Sequence, residues 1–97
     1  MDELIRRSEN EPVIIFKHST SCHVSAMAYE EMQHLDREVH LVVVQSDRGV
    51  SQQISEETGL EHESPQVILL RRGKPVWEAS HWDVKAKAVL AAVQENA

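Results

Sequence analysis

The sequence predicts an α/β fold with a mixed four-stranded sheet and helices on both of its faces. Three apolar runs rich in β-branched residues, at 13–17, 39–45 and 66–71, alternate with segments in which apolar residues recur at helical spacing. A turn at 72–74 joins the third run to a fourth at 75–80, and strands joined this closely must be antiparallel. Because 97 residues supply one core of modest size, we expect a single domain.

The first half of the chain predicts a helix followed by a β-α-β unit. A short amphipathic helix at 2–9 has Leu4 and Ile5 as its inward pair. The strand at 13–17 then leads through a polar loop into a second helix, and the run at 39–45 is a second buried strand. A strand, a helix and a strand in this order favour parallel strands with a right-handed crossover.

The second half predicts a third helix in which Ser46 or Asp47 is the cap, Val50 and Ile54 face inward, and Gly59 supplies the left-handed end. The antiparallel strand pair follows. The last helix is predicted to begin at a cap residue and to carry apolar residues on one face. That cap is Asp83, and the apolar residues are Ala86, Val89, Leu90 and Val93. This series of elements matches a thioredoxin-like core.

The composition argues against several classes of function. Sixteen acidic and ten basic side chains give a formal charge of -6, so a basic surface for nucleic acid is not expected. Charges occupy the N-terminal segment where a signal peptide needs an apolar core, and no run approaches the ~18 apolar residues of a membrane span. A single cysteine suits a reducing compartment, so we expect a cytoplasmic protein. The six histidines lack the spacing of a zinc site, and no metal is predicted.

The single cysteine, Cys22, is the main indicator of function. It follows the first strand and is predicted in the first turn of the second helix, where unpaired backbone N–H groups and the helix dipole favour a thiolate. Ser25 lies one turn further along, so its hydroxyl is expected to donate a hydrogen bond to the sulfur. Dithiol redox enzymes have a second cysteine there. This site can therefore attack a disulfide but cannot form an internal one.

Three sequence blocks, IFKHSTSCHVS at 15–25, ESPQV at 63–67 and ASHW at 79–82, together resemble the YtxJ-like monothiol bacilliredoxins. These are thioredoxin-fold proteins of bacteria that use the thiol bacillithiol. The resemblance runs over nearly the whole chain. The family usually has proline and isoleucine between its cysteine and serine, where this chain has His23 and Val24.

The resemblance implies that the chain is a monothiol thiol-disulfide oxidoreductase. Cys22 would attack the bacillithiol sulfur of a protein–bacillithiol mixed disulfide, free the client thiol and carry bacillithiol until a second small thiol removes it. Bacillithiolated proteins would be the partners, and bacillithiol would be a co-substrate rather than a bound cofactor. Two alternatives stay open: a non-catalytic stress or redox adaptor whose Cys22 is itself S-thiolated, and an iron–sulfur-binding monothiol protein.

The resemblance also indicates which residues bind the thiol. The Ser64-Pro65 pair looks like the cis-proline of thioredoxin folds, where the preceding backbone pairs with a bound chain. Trp82 offers an aromatic face, while Lys17 and His18 offer donors to an anionic ligand. The expected thiol-binding residues are Ser21, His23, Ser64, Pro65, His81 and Trp82.

Overall fold

A computed structural model describes all 97 residues and confirms the predicted fold class. The strand order in the sheet is β2-β1-β3-β4, with β1 and β2 parallel and the other two pairs antiparallel. No helix is both long enough and apolar enough to cross a membrane. The elements are α1 (Asp2–Arg7), β1 (Val13–His18), α2 (His23–Gln33), β2 (Val39–Val43), α3 (Arg48–Thr58), β3 (Gln66–Arg71), β4 (Lys74–Ser80), a 3₁₀ turn (His81–Asp83) and α4 (Ala86–Glu95).

The sheet separates two apolar cores, because successive side chains of a strand point to opposite faces. The core beneath α2 and α4 contains Ile14, Phe16, Ala28, Met32, Val67, Leu69, Val84, Val89, Ala92 and Val93. The core on the other face, beneath α1 and α3, contains Val13, Ile15, Val42, Ile54, Ile68 and Leu70. At the end of β1, the same alternation sends Lys17 to the α3 face and His18 to the α2 face.

Predictions about buried positions in β2 and in α3 are wrong. The second strand was expected to be buried, but Leu41 is 45% exposed and only Val42 is buried, because β2 lies at the edge of the sheet. In α3, Val50 is exposed, whereas Ser51 and Ile54 face the core. Val50 lies in the first turn of α3, at the border of the face that Ser51 and Ile54 define, and it is therefore beside solvent.

The ends of the helices depend partly on contacts across the fold. Asp47 is the N-cap residue of α3, but its carboxylate accepts the N–H of Val43 and caps no N–H of the helix. Gly59 ends the helix as predicted, with a left-handed φ of 72°. The predicted cap of the last helix is wrong, because Asp83 lies in the 3₁₀ turn and α4 begins three residues later. The backbone N–H of Ala86 instead donates to a carboxylate oxygen of Glu31 in α2, at 2.8 Å. A side chain from another helix therefore takes the place of the local cap. Leu90 is exposed rather than inward.

Candidate active site

Cys22 is the N-cap residue of α2, so the prediction that it lies in the first turn is wrong by one position. Its backbone is extended, with φ of -109° and ψ of 125°, and its carbonyl oxygen accepts the N–H of Ala26 at 3.0 Å. The side chain is partly exposed and caps no backbone group. An N-cap side chain stands beside the unpaired N–H groups that begin a helix. The side chain of Cys22 therefore still lies at the start of the helix.

Ser25 does not hydrogen-bond to the sulfur as predicted. Its side chain is fully buried, and its Oγ accepts the backbone N–H of Ser19 at 2.9 Å. The same oxygen lies 2.8 Å from Nδ1 of His18. Both partners belong to the segment that leads from β1 to Cys22. Ser25 thus anchors this segment against the start of α2, a contact that helical spacing alone could not reveal.

His18 is the histidine that contacts the motif, whereas His23 is exposed and makes no hydrogen bond. The imidazole of His18 packs against the rings of Phe16 and Tyr29, with ring centroids 5.6 and 4.9 Å away. Burial lowers the pKa of His18 below its usual value of 6.5, and an interaction with the backbone of Ser25 opposes this change. The ring is therefore neutral at pH 7, and a neutral ring allows Nδ1 to accept the hydroxyl proton of Ser25.

A glutamine after β2 completes the support of the segment before Cys22. The amide nitrogen of Gln45 donates to the hydroxyl oxygens of Ser19 at 2.8 Å and Ser21 at 3.1 Å. Its amide oxygen accepts the backbone N–H of Thr20 at 3.2 Å. The predicted site residue Ser21 is therefore held by Gln45 and is exposed to solvent. The sequence offered no signal for Gln45, because its role depends on β1 and β2 being neighbours.

The Ser64-Pro65 peptide bond is cis, as predicted. The strand register pairs Lys17 with Gln66. Pro65 precedes Gln66 and therefore lies beside the end of β1, from which the chain continues toward Cys22. Pro65 is buried, and the hydroxyl of Ser64 is a buried side-chain oxygen with no hydrogen-bond partner. The two residues thus lie beside the end of the central strand β1, from which the chain leads to the cysteine.

The segment of His81 and Trp82 is tied to the cis-proline turn. The backbone N–H of His81 donates to the carbonyl of Pro65 at 2.9 Å, and its imidazole Nε2 lies 2.6 Å from a carboxylate oxygen of Glu63. Trp82 is 58% exposed and lines a cavity of about 210 Å³ together with Val24 at the start of α2. The structure therefore brings the start of α2, the cis-proline turn and the Trp82 segment together.

Lys17 is separated from this groove, because its side chain lies on the opposite face of the sheet. It is fully buried, and its ammonium contacts Ser55 of α3 and His62. No three His, Cys, Asp or Glu side chains form a cluster that could hold a metal ion. The cavity beside Trp82 is lined by the ionisable side chains Glu30, Glu31, His34, His81 and Lys85, whereas Cys22 and His18 lie outside its lining.

Comparison with known structures defines the class of protein. A structure described as a candidate oxidoreductase with a thioredoxin fold aligns with a TM-score of 0.84 and 31% identity, covering 95% of this chain and 87% of that one. Thioredoxin from Fasciola hepatica aligns with a TM-score of 0.75 and 13% identity, covering 99% and 90%. Mitochondrial thioredoxin 3 from Saccharomyces cerevisiae aligns with a TM-score of 0.70 and 12% identity, covering 97% and 87%. The fold is thioredoxin-like.

A family model narrows this class. The model described as monothiol bacilliredoxin BrxC matches residues 1–89, which is most of the chain. The chain therefore belongs to the monothiol bacilliredoxin family, and the resemblance seen in the sequence is confirmed. Family and fold together support a thiol-dependent redox function.

Proposed function

We propose that this protein removes bacillithiol from client proteins by thiol-disulfide exchange at Cys22. The observation that carries the proposal is the position of the only cysteine, which is partly exposed at the N-cap of α2. Thiol exchange needs a thiolate and an accessible path to the disulfide, and a helix N-terminus favours both. Because a lone free thiol is stable in a reducing compartment, we place the reaction in the cytoplasm.

In the first step, the Cys22 thiolate attacks the bacillithiol sulfur of the mixed disulfide. A new disulfide forms between Cys22 and bacillithiol, while the client sulfur leaves as a thiolate and takes up a proton. Ser25 has no sulfur with which to displace the bound thiol. A second small thiol must attack the new disulfide, which restores Cys22 and releases bacillithiol joined to that thiol.

We assign Ser25 the role of a positioning residue. Its hydroxyl is held by Ser19 and His18, so it acts on the sulfur through the segment that carries Cys22. Ser21 and His23 flank the sulfur and form the exposed border of the site. The Ser25 contacts hold the backbone before Cys22, and α2 holds the backbone after it. A nucleophile fixed in this way keeps its orientation toward the disulfide.

We further propose that the thiol ligand occupies the groove between the cis-proline turn and the Trp82 segment. The hydroxyl of Ser64 is buried without a partner in the chain, and the backbone of Ser64 forms no hydrogen bond within the chain and would pair with the ligand. On the other side, exposed Trp82 supplies an aromatic face, and His81, whose Nε2 is held by Glu63, lines the same cavity. Both sides lie beside the start of α2.

The direct test is to incubate the reduced protein with a client that carries bacillithiol on one cysteine, without a second thiol. Mass spectrometry should find bacillithiol transferred to Cys22 and the client thiol free. Absence of this adduct, with the client unchanged, would reject the enzyme and favour the adaptor. An adduct formed with free oxidised bacillithiol but not with the client would also favour the adaptor, because such a protein is only modified.

The groove is tested separately with Trp82→Ala and the conservative variant Trp82→Phe. Trp82→Ala should slow the reaction with the bacillithiolated client about tenfold, because ~1.4 kcal/mol of ring contact is lost, while Trp82→Phe should retain most of the rate. Reaction with a small featureless disulfide should be unchanged in both variants. An equal loss with both substrates would place the ligand elsewhere while leaving Cys22 as the nucleophile.

A further inference from the structure

A second cavity, of about 400 Å³, lies on the α3 face of the sheet. Its walls come from the end of β2, from α3 and from the loop that contains His62. Gln45, which holds the segment before Cys22, is one of the lining residues. The cavity is therefore connected to the active-site segment through one side chain, although it opens on the opposite side of the sheet from the Trp82 groove.

The lining of this cavity differs in charge from the rest of the molecule. The chain carries 16 acidic and 10 basic side chains, yet no Asp or Glu lines the cavity. Arg48 does line it, and its guanidinium forms no ion pair or hydrogen bond with any other residue. The remaining polar lining residues are Gln45, Ser51, Gln52, Ser55 and His62. These groups are suited to an anion rather than a cation.

A buried cation lies directly behind this wall. Lys17 has no exposed surface, and its Nζ contacts Ser55 Oγ at 3.1 Å and His62 Nδ1 at 3.2 Å. No carboxylate lies within 4.0 Å of this ammonium, and its third N–H has no partner in the chain. Fully buried lysines are rare unless they are paired, because removing the charge from water is costly. The fold thus buries a positive charge without its own counter-charge.

His62 connects the buried cation to the cavity. Because Nδ1 faces the Lys17 ammonium, which can only donate, this nitrogen accepts a hydrogen bond and the ring proton of the neutral imidazole lies on Nε2. Burial and the Lys17 charge lower the pKa of His62, and Glu63 opposes them. The ring is therefore neutral at pH 7, and its Nε2–H is a donor without a partner in the chain.

We propose that this cavity binds a small anion that carries a carboxylate or a phosphate group. The Arg48 fork and the Nε2–H of His62 are the donors to the anion, and Lys17 supplies the buried positive charge that the anion neutralises. The anion would sit beside Gln45 and hence next to the segment that carries Cys22. This inference does not depend on the redox reaction, because it concerns a different cavity and a different set of residues.

The experiment is a titration of the ¹⁵N-labelled reduced protein at pH 7 with sodium phosphate in one arm and sodium malate in the other. Ionic strength is held constant with sodium chloride, which also serves as the blank. We expect saturable shifts of the side-chain amides of Gln45 and Gln52 in at least one arm. Saturation in one arm alone identifies the preferred group, whereas chloride-like behaviour in both arms would overturn the proposal.

Two variants and a control locate the site. Arg48→Gln should weaken the affinity at least about tenfold, since it removes the charged fork, and Lys17→Met should do the same by removing the buried charge. Arg6→Gln makes the same change of charge on exposed α1 and should leave the affinity unchanged. If Arg48→Gln and Arg6→Gln weaken binding equally, the affinity depends only on the net charge of the protein, and the proposed site is wrong.

Discussion

Lys17 and His18 are neighbours in the chain, but their side chains lie on opposite faces of the sheet and belong to different polar clusters. On the α2 face, the side chains of His18 and Ser25 hydrogen-bond to each other, and Ser25 also accepts the N–H of Ser19. These bonds fix the backbone that leads to Cys22. On the α3 face, Lys17 and His62 leave a positive charge without a carboxylate. One polar cluster is complete within the chain, while the other lacks a counter-charge. The difference separates a region built to hold a nucleophile from one that favours an anion.

The largest expected effect comes from removing the sulfur. Cys22→Ser should abolish removal of bacillithiol from a client, because a hydroxyl at this position is not a nucleophile for disulfides. Lys17→Met, on the other face, should retain the reaction with a small neutral disulfide. Mass spectrometry measures the rate at which the client loses bacillithiol. Residual turnover in Cys22→Ser would end the proposal that this thiol is the nucleophile.

The next effect concerns the hydroxyl that completes the α2 face. Ser25→Ala leaves the N–H of Ser19 buried without its acceptor, so the free energy of unfolding should fall by about 1–3 kcal/mol. Exchange at Cys22 should slow without disappearing, since the sulfur remains. Chemical denaturation and exchange kinetics check the two parts. Ser46→Ala, at an exposed serine, is the control and should change stability by less than ~0.5 kcal/mol.

Stability should change in the other direction on the α3 face. Lys17→Met replaces a buried ammonium by an apolar chain of similar length, so the free energy of unfolding should rise by about 1–3 kcal/mol despite two lost hydrogen bonds. Lys87→Met, at an exposed lysine of α4, should have almost no effect in the same denaturation experiment. Destabilisation by Lys17→Met would show that the charge is already compensated in the free protein.

The smallest effect is a dependence of stability on pH to which both faces contribute. Burial lowers the pKa of His18 and of His62 below 6.5, so the unfolded chain takes up protons first as the pH falls. Stability from the two neutral rings is complete above pH 6.5 and is lost as the pH falls through their lowered values. His18→Gln and His62→Gln should each reduce this loss between pH 7 and pH 5. Because the two rings lie on opposite faces, their contributions should add in the double variant.

Local sequence signals predicted the features that depend on neighbouring residues. The bounds of β3, the tight connection to β4 and the left-handed Gly59 all follow from apolar runs and turn residues within a few positions. The family resemblance predicted the cis bond before Pro65 and the Trp82 segment beside α2. Cys22 was misplaced by one position, because the end of a helix is the least certain part of a periodic pattern.

The features that were missed depend on contacts between distant segments. Helical spacing placed Ser25 beside the sulfur, but its hydroxyl found better partners in the segment before Cys22. Gln45 and Glu31 look like ordinary exposed polar residues until strand order and helix packing bring them to Ser19 and Ala86. The role of Lys17 could not be predicted either, because strand alternation gives its face but not the absence of a carboxylate there.

The cap that Glu31 places on α4 has a consequence for how the molecule fluctuates. The N–H of Ala86 is hydrogen-bonded to the Glu31 side chain of α2. It can exchange with deuterium only when the two helices move apart or this hydrogen bond breaks. Cys22 is the N-cap residue of α2, so this one amide reports the motion of the helix that carries the cysteine. If a bound thiol reduces the motion of α2, the protection factor of the Ala86 amide should rise. No probe attached near the sulfur is needed for this measurement.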